Sequence, residues 1–219
     1  MQHKTDFDAV YQGRESAQNV PWVPWNIGEP QPKLAELEPA GVFRSDVLDA
    51  GCGIGVTSVY LARLGYTVVG LDSAPTAIAE AKRTAADEKV SVTFEVADLT
   101  ALKGYEGRFR AVIDSGTIPA VADERRADYL ACLAESTTDD ATLSILTFSR
   151  EASAVMPKGP TLFSEDELGT LVEKDWSIDR LEPSTISALL KPELADAALG
   201  TDDKGRVLVP AVLLVAHKR

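Results

Sequence analysis

The chain has 219 residues, 45% of them hydrophobic and 26% charged, with a formal net charge of -12. That length suits one α/β domain and is enough to bury a full core without disulfides or metal. The acid excess, with Lys and Arg scattered along the chain, argues against DNA or RNA as a partner, and no run approaches the ~20 apolar residues of a membrane helix.

The N-terminal run MQHKTDFDAVYQG is polar and acidic, unlike a signal peptide. Cys52 and Cys132 do not make a disulfide framework and suit a reducing compartment, so a cytoplasmic location is expected. Residues 1–43 carry Trp22, Trp25 and several prolines with little periodicity, and are expected to form a cap segment in front of a domain spanning 44–219. Within the cap a short helix is expected over 32–37, because Pro32 is tolerated in a first helical turn.

From Asp46 onward, strand and helix signals alternate. Residues 47–50 are a short apolar run ending in a Gly-rich turn, 56–64 have helical character, and Gly65 stands where a C-cap is expected. The β-branched run 67–72 reads as a buried strand, and 75–86 as an Ala-rich helix with Pro75 in its first turn. Val90, Val92, Phe94 and Val96 alternate at period two, which predicts a strand over 90–97 with those four on one face. A strand over 109–114, a helix over 123–136 and a strand over 142–148 follow. Ser164 with Glu167 has the capping-box form and should start a helix reaching about residue 174. Runs 176–186 and 206–217 supply two last strands, with Pro210 predicting a bulge or an interrupted ladder. Such alternation implies a mostly parallel, doubly wound sheet of seven strands with helices on both faces. Ligands in these sheets bind outside the carboxyl ends of the strands, at the switch point.

Chemistry-bearing residues gather at those ends. The first strand and its turn read Val47-Leu48-Asp49-Ala50-Gly51-Cys52-Gly53-Ile54-Gly55. Glycines let a backbone turn sharply and approach a ligand closely, although structural tight turns use them too. Asp72 ends the second strand, where a carboxylate can accept both hydroxyls of a ribose. Asp98 follows the third, where it can take an adenine amino group while Leu99 packs on the ring, and Asp114-Ser115 ends the fourth. Four successive strands thus end in aspartate, with a Gly-rich turn after the first. Single aspartates at strand ends commonly just start turns.

This set resembles the class I S-adenosylmethionine-dependent methyltransferase family, a Rossmann-like α/β fold. Asp49 to Gly55 match its acidic glycine loop, Asp72 its ribose-binding acid, and Ala97-Asp98-Leu99 its adenine motif. The resemblance covers roughly residues 44–219. It implies S-adenosylmethionine as cofactor and S-adenosylhomocysteine as its product. It places Asp49, Gly51, Gly53 and Gly55 around the methionine end, Asp72 and Ser73 at the ribose, Asp98 and Leu99 at the adenine, and Asp114 beside the transferred methyl. Tyr11-Gln12-Gly13 with the Trp22 to Pro32 run looks like the N-terminal cap of the thiopurine and heterocyclic quinolone branch, which methylates heteroatoms of flat aromatic molecules. A small-molecule acceptor is the partner this implies. Tyr11, Trp22 and Ile118 would line its pocket, and Trp25 could face the cationic sulfonium; both tryptophans could equally be anchors.

The pattern departs from that branch after Asp114-Ser115. Ile118 and Pro119 stand where an aromatic residue and a histidine are common, and the NPPY-type motif of nucleic-acid amino methylation is absent. Asp114 and Ser115 remain as positioning candidates, with no general base identified. His3 and His217, the only histidines, read as surface residues, and Cys52 as a small buried side chain. No cluster has metal-ligand spacing. Nothing in the sequence sets an oligomeric state. Two alternatives stay open: a non-catalytic S-adenosylmethionine binder, and a nicotinamide-dependent oxidoreductase. The latter would prefer GxGxxG, whereas Val56 follows Gly55 here.

Overall fold

The computed structural model describes residues 6–14, 23–156, 160–190 and 199–219. Its strands are β1 (Val47–Ala50), β2 (Val68–Asp72), β3 (Thr93–Val96), β4 (Phe109–Ser115), β5 (Thr137–Phe148), β6 (Trp176–Ala188) and β7 (Val207–Lys218). They form one sheet in the order β3-β2-β1-β4-β5-β7-β6. β1 to β5 pair in parallel, while β7 runs antiparallel to both β5 and β6. The strand order reverses between β1 and β4, the point at which sheets of this kind bind ligands in a crevice outside the carboxyl ends of the strands.

The helices are α1 (Phe7–Tyr11), α2 (Pro32–Ala35), α3 (Val56–Arg63), α4 (Pro75–Asp87), α5 (Arg126–Glu135) and α6 (Glu165–Val172). One face of the sheet packs on α5 and α6, through Leu48, Val112 and Ile145 against Tyr129, Leu133 and Leu168. The opposite face meets α2 and α3 through Val47, Ile113 and Leu146 against Leu34 and Leu61. α4 packs on α3 and β3 through Ile78, Ala81, Ala85, Val59 and Phe94. The capping box at Ser164 forms on both sides, Ser164 Oγ accepting from the Glu167 N–H and the Glu167 carboxylate from the Ser164 N–H.

Two expectations need correction. β3 is shorter than the alternation over 90–97, and Val96 is 52% exposed while Phe94 is buried. As an edge strand, β3 packs along one stretch only. Pro210 makes no bulge: it sits in register opposite Thr185, and its carbonyl accepts from Ser149, just past the last β5–β7 pair at Phe148 and Ala211. Its missing N–H therefore faces the side where the β5 ladder has ended. The irregularity in β6 lies instead between Ile178 and Arg180. Leu34, Leu37 and Phe43 are core residues, so the chain from α2 onward belongs to the domain's packing.

Candidate active site at the strand ends

Neither α3 nor α4 has a side-chain cap of its own, since Gly55 and Ala74 occupy the N-cap positions. Carboxylates from elsewhere serve both. Asp49 is buried on the α3 face and accepts from Ser58 Oγ at 2.6 Å and from the Ser58 N–H. Burial pushes its pKa up to about 6 against those two donors, and the charge of Asp72 adds to the rise. Asp72 lies on the same face. Its Oδ2 accepts from the Gly53 N–H at 2.9 Å and its Oδ1 from the Ala74 N–H at 2.8 Å. Burial raises its pKa too, opposed by the Ala74, Gly53 and Ser73 N–H groups. Ser73 is itself exposed. A carboxylate has about four acceptor sites, so Asp72 keeps capacity for further donors.

The N-terminal segment covers this floor. Tyr11 is half-buried, with its hydroxyl 2.7 Å from where a Cβ at Gly53 would stand. Gly53 has φ +53, and any side chain there would displace the tyrosine. The Trp25 indole donates to the Tyr11 hydroxyl, and its ring meets Phe7 edge-on at 6.4 Å. Burial holds the Tyr11 pKa well above the phenol range, and Asp72 adds to it. From α1, Asp8 Oδ1 accepts from the Thr76 N–H at 2.8 Å, at the α4 N-terminus where negative charge is favourable. The buried Gln31 side chain anchors the far end of the segment, accepting from the Ser187 N–H at 2.9 Å and donating to its carbonyl at 3.0 Å. Trp22 and His3 lie outside the described residues.

The other expected residues are placed differently. Asp98 is exposed, beyond the end of β3, with Oδ1 accepting from the Thr100 N–H at 2.9 Å and hydroxyl at 2.5 Å; Leu99 is buried beside it. Asp114 is 0% exposed and points to the opposite face from Asp49. It accepts from the Thr117 N–H at 2.7 Å, the Ile118 N–H at 2.9 Å and the Tyr129 hydroxyl at 2.8 Å. Burial pushes its pKa up to about 7 in spite of those donors. Ile118 is equally buried, in the core with Leu130 and Phe163, and does not line a cleft. Ser115 is half-buried at the end of β4. The four aspartates therefore do not converge on one cavity. Asp49 and Asp72 brace the glycine-rich loop after β1, Asp114 braces the loop after β4, and Asp98 stands at the sheet edge. Cys52 is half-buried rather than buried, with its thiol pKa raised by burial and by Asp49 and Asp72.

Sequence reasoning missed Arg126. Its guanidinium is buried over the Phe163 ring at 5.0 Å, pairs with Asp123 at 2.8 Å, and donates to Thr161 Oγ1 at 2.6 Å and to the Ile118 carbonyl at 3.3 Å. It thus joins the loop after β4 to the segment before α6. His217 has a partner after all, Asp179 at 2.8 Å, but it pairs with Thr142 near the start of β5, at the end of the sheet away from the crevice. Among the described residues no group of His, Cys, Asp or Glu could hold a metal ion, and no helix is long and apolar enough to cross a membrane.

Residues 47–140 match the family model described as a methyltransferase domain. The chain is 40% identical over 183 residues to 2-heptyl-1-hydroxyquinolin-4(1H)-one methyltransferase of Mycobacteroides abscessus, covering 83% of this chain and 81% of that one. A structure solved for the conversion of a disulfide bond into a thioacetal group during echinomycin biosynthesis superposes with a TM-score of 0.83. It is 34% identical, covering 97% of this chain and 90% of that one. Magnesium protoporphyrin IX methyltransferase from Synechocystis, solved with bound S-adenosylmethionine, superposes at 0.61 with 23% identity, over 85% of this chain and 76% of that one. That last likeness speaks to the fold alone.

Proposed function

The chain belongs to the S-adenosylmethionine-dependent methyltransferases, and from that premise we propose that it methylates an oxygen, nitrogen or sulfur atom of a small heteroaromatic molecule. The observation that carries the acceptor class is the 40% identity, over 83% of the chain, with an enzyme named for a hydroxyquinolone. The family membership displaces the nicotinamide-dependent alternative.

The residues at the crevice fit the cofactor. Asp72 has acceptor capacity for ribose hydroxyls, with Ser73 beside it, while Asp98 with Leu99, at the sheet edge, is the pair this reading assigns to the adenine. Gly51, Gly53 and Gly55 keep the loop backbone close, and Tyr11 and Trp25 roof it. When bound, S-adenosylmethionine supplies a methyl group on a sulfonium, already activated for displacement. The protein's part is then to align the acceptor with that methyl and to keep water away, a contribution of several kcal/mol from orientation, up to about 7–11 in favourable cases. Residues 6–14 and 23–31 are the cover in this reading, and Asp114 and Arg126 hold the acceptor-side loop from beneath. Asp114 acts as a positioning residue, since its carboxylate is already taken by two N–H groups and a phenol. Its acidic balance suits a cytoplasmic enzyme acting on small molecules rather than nucleic acid.

The test is turnover with S-adenosylmethionine and a panel of hydroxyquinolones, phenols and heteroaromatic thiols, read by mass spectrometry. A product 14 mass units heavier than a panel member is expected, by the arithmetic of one methyl replacing one hydrogen (roughly 14 Da). No product from any heteroaromatic acceptor, with S-adenosylhomocysteine still bound, would overturn the acceptor class.

A further inference from the structure

Gly51 has φ +75, and a Cβ built there would lie 2.0 Å from Thr117 Oγ1 and 2.7 Å from its Cγ2. The Thr117 side chain therefore occupies the space that any side chain at position 51 would need. Its hydroxyl donates to the Ala50 carbonyl at 2.7 Å, at the very end of β1. Its own N–H is held by Asp114, and the preceding Gly116 N–H donates to the Leu146 carbonyl at 2.9 Å. On the other side, the Gly51 and Cys52 N–H groups both donate to the Leu71 carbonyl, at 2.7 and 3.0 Å. Thr117 is thus one knob seated between two loops that are each fixed to the sheet. The first glycine of the turn leaves room for a neighbouring loop as much as for a ligand.

We propose that Thr117 is a positioning residue for methyl transfer: seated in the side-chain space of Gly51, it sets the loop over 115–120 in register with the glycine loop over 50–55. This rests on reading those loops as the acceptor and cofactor sides. The two reacting molecules then keep a fixed separation because the loops that flank them share one hydrogen-bonded contact. A valine keeps the shape of threonine and loses the donor, leaving the Ala50 carbonyl without it. A serine keeps the donor.

Three readouts on the full chain test this in wild type, T117V and T117S. They are S-adenosylhomocysteine affinity by calorimetry, hydrogen exchange at 116–120 with and without that ligand, and turnover of 2-heptyl-1-hydroxyquinolin-4(1H)-one. In wild type and T117S, S-adenosylhomocysteine should slow exchange at 116–120 by about threefold or more, because ordering one loop orders its neighbour. In T117V that slowing should vanish while ligand affinity stays within about threefold, and kcat should fall about tenfold or more, with T117S recovering most of it. Equal slowing in T117V would overturn the proposal. So would a T117V defect confined to ligand affinity. T117A, which removes the hydroxyl and relieves packing, carries the same readouts if T117V does not fold. Failure of both to fold would make Thr117 a folding residue and overturn it as well. If that hydroxyquinolone is not turned over, kcat is read on a panel acceptor that is; if none is, the acceptor reading fails, and hydrogen exchange still decides the coupling.

Discussion

The Tyr129 hydroxyl donates to the Asp114 carboxylate across 2.8 Å, with both side chains wholly buried beneath the loop that Asp114 begins. The tyrosine comes from α5 and the aspartate from β4, so the bond ties the helix layer to the strand end. Hydrogen bonds to a charged group contribute about 1.5–3 kcal/mol. Tyr129→Phe should therefore lower stability by roughly that amount at pH 8, measured by urea denaturation. It should also raise the Asp114 pKa further, since a donor to the carboxylate is lost. Unchanged stability and an unchanged Asp114 titration would show that the bond contributes nothing.

Stability should rise as the solution is acidified from pH 8 to about pH 5. The pKa of Asp49 is pushed up to about 6 and that of Asp114 to about 7, both above the ordinary aspartate value of 3.8. The folded state thus binds these protons more tightly than the unfolded state. Their contribution is fully present below the unfolded pKa and is lost as pH rises through 6 and 7. One pKa unit is about 1.4 kcal/mol, so the full rise of about three units at Asp114 corresponds to on the order of 4 kcal/mol. Asp140, Glu167 and Asp202 are held down to about 2 and act oppositely, their stabilisation being lost as pH falls below the usual carboxylate range. A stability maximum on the acidic side of neutrality follows. Thermal melts across pH should show it, and Asp114→Asn should flatten the slope between pH 6 and 8. A slope that the Asn variant leaves intact would point away from Asp114.

Asp72→Asn tests the ribose reading. The substitution removes the charge while leaving one oxygen to accept from a loop N–H. S-adenosylhomocysteine affinity should fall by at least about tenfold, because two charge-assisted hydrogen bonds are weakened and 1.4 kcal/mol is one decade. The melting temperature should also drop, since Asp72 already holds Gly53 and Ala74. Calorimetry that finds an unchanged dissociation constant would remove Asp72 from the site.

Much of this architecture was legible in the sequence for a simple reason. The strands are apolar runs separated by turn residues, and among the helices between them α4 has a Pro start and α6 a capping box, so periodicity and punctuation both report them. Where β3 and Pro210 departed, the cause was position in the sheet: an edge strand buries less than its alternation suggests, and a proline is harmless past the end of a ladder. The site was less legible. Aspartates at strand ends look alike in sequence, yet side-chain alternation sends Asp114 to the face opposite Asp49, and Asp98 past the strand altogether. Tyr129 and Arg126 sit on a helix whose spacing reads only as a buried face and a charged start. The contact of Thr117 with Gly51 joins residues far apart in the chain, and no local pattern announces it.

Deleting residues 1–30 should abolish turnover and leave a folded sheet. The cover is held to the domain by polar contacts, with Asp8 and Gln12 at Thr76 and Glu29 at Lys204, and by the buried Ala9 and Val10 of α1, while Leu34 and Leu37 beyond it stay in the core. Asp8→Asn weakens the charge at the α4 N-terminus, worth about 0.3–1 kcal/mol, and should give a smaller loss than the deletion. Trp25→Ala removes the donor to Tyr11 and the ring against Phe7, and should fall between the two. Full activity in the truncated protein would make the segment an appendage.

The pH dependence of turnover should follow the acceptor's own pKa. His217 is on the surface with Asp179, at the far end of the sheet, and so cannot take a proton at the crevice. Asp49 and Asp114 have raised pKa values suited to a base, but both are buried with their oxygens engaged by Ser58, Thr117, Ile118 and Tyr129. Tyr11 does face the crevice, yet its pKa is raised, so it stays protonated at neutral pH. With no carboxylate or imidazole among these positioned to accept a proton, an acceptor that ionises by itself reacts fastest, such as an N-hydroxy heterocycle, a phenol or a thiol. Acceptors of graded acidity should give kcat/KM profiles whose inflections move with each acceptor, and His217→Ala should change them little. One fixed inflection across the series would instead require a protein base. Asp114→Asn and Tyr11→Phe would then be the variants to compare, since a base contributes about 10²–10⁴-fold and its loss would erase the inflection.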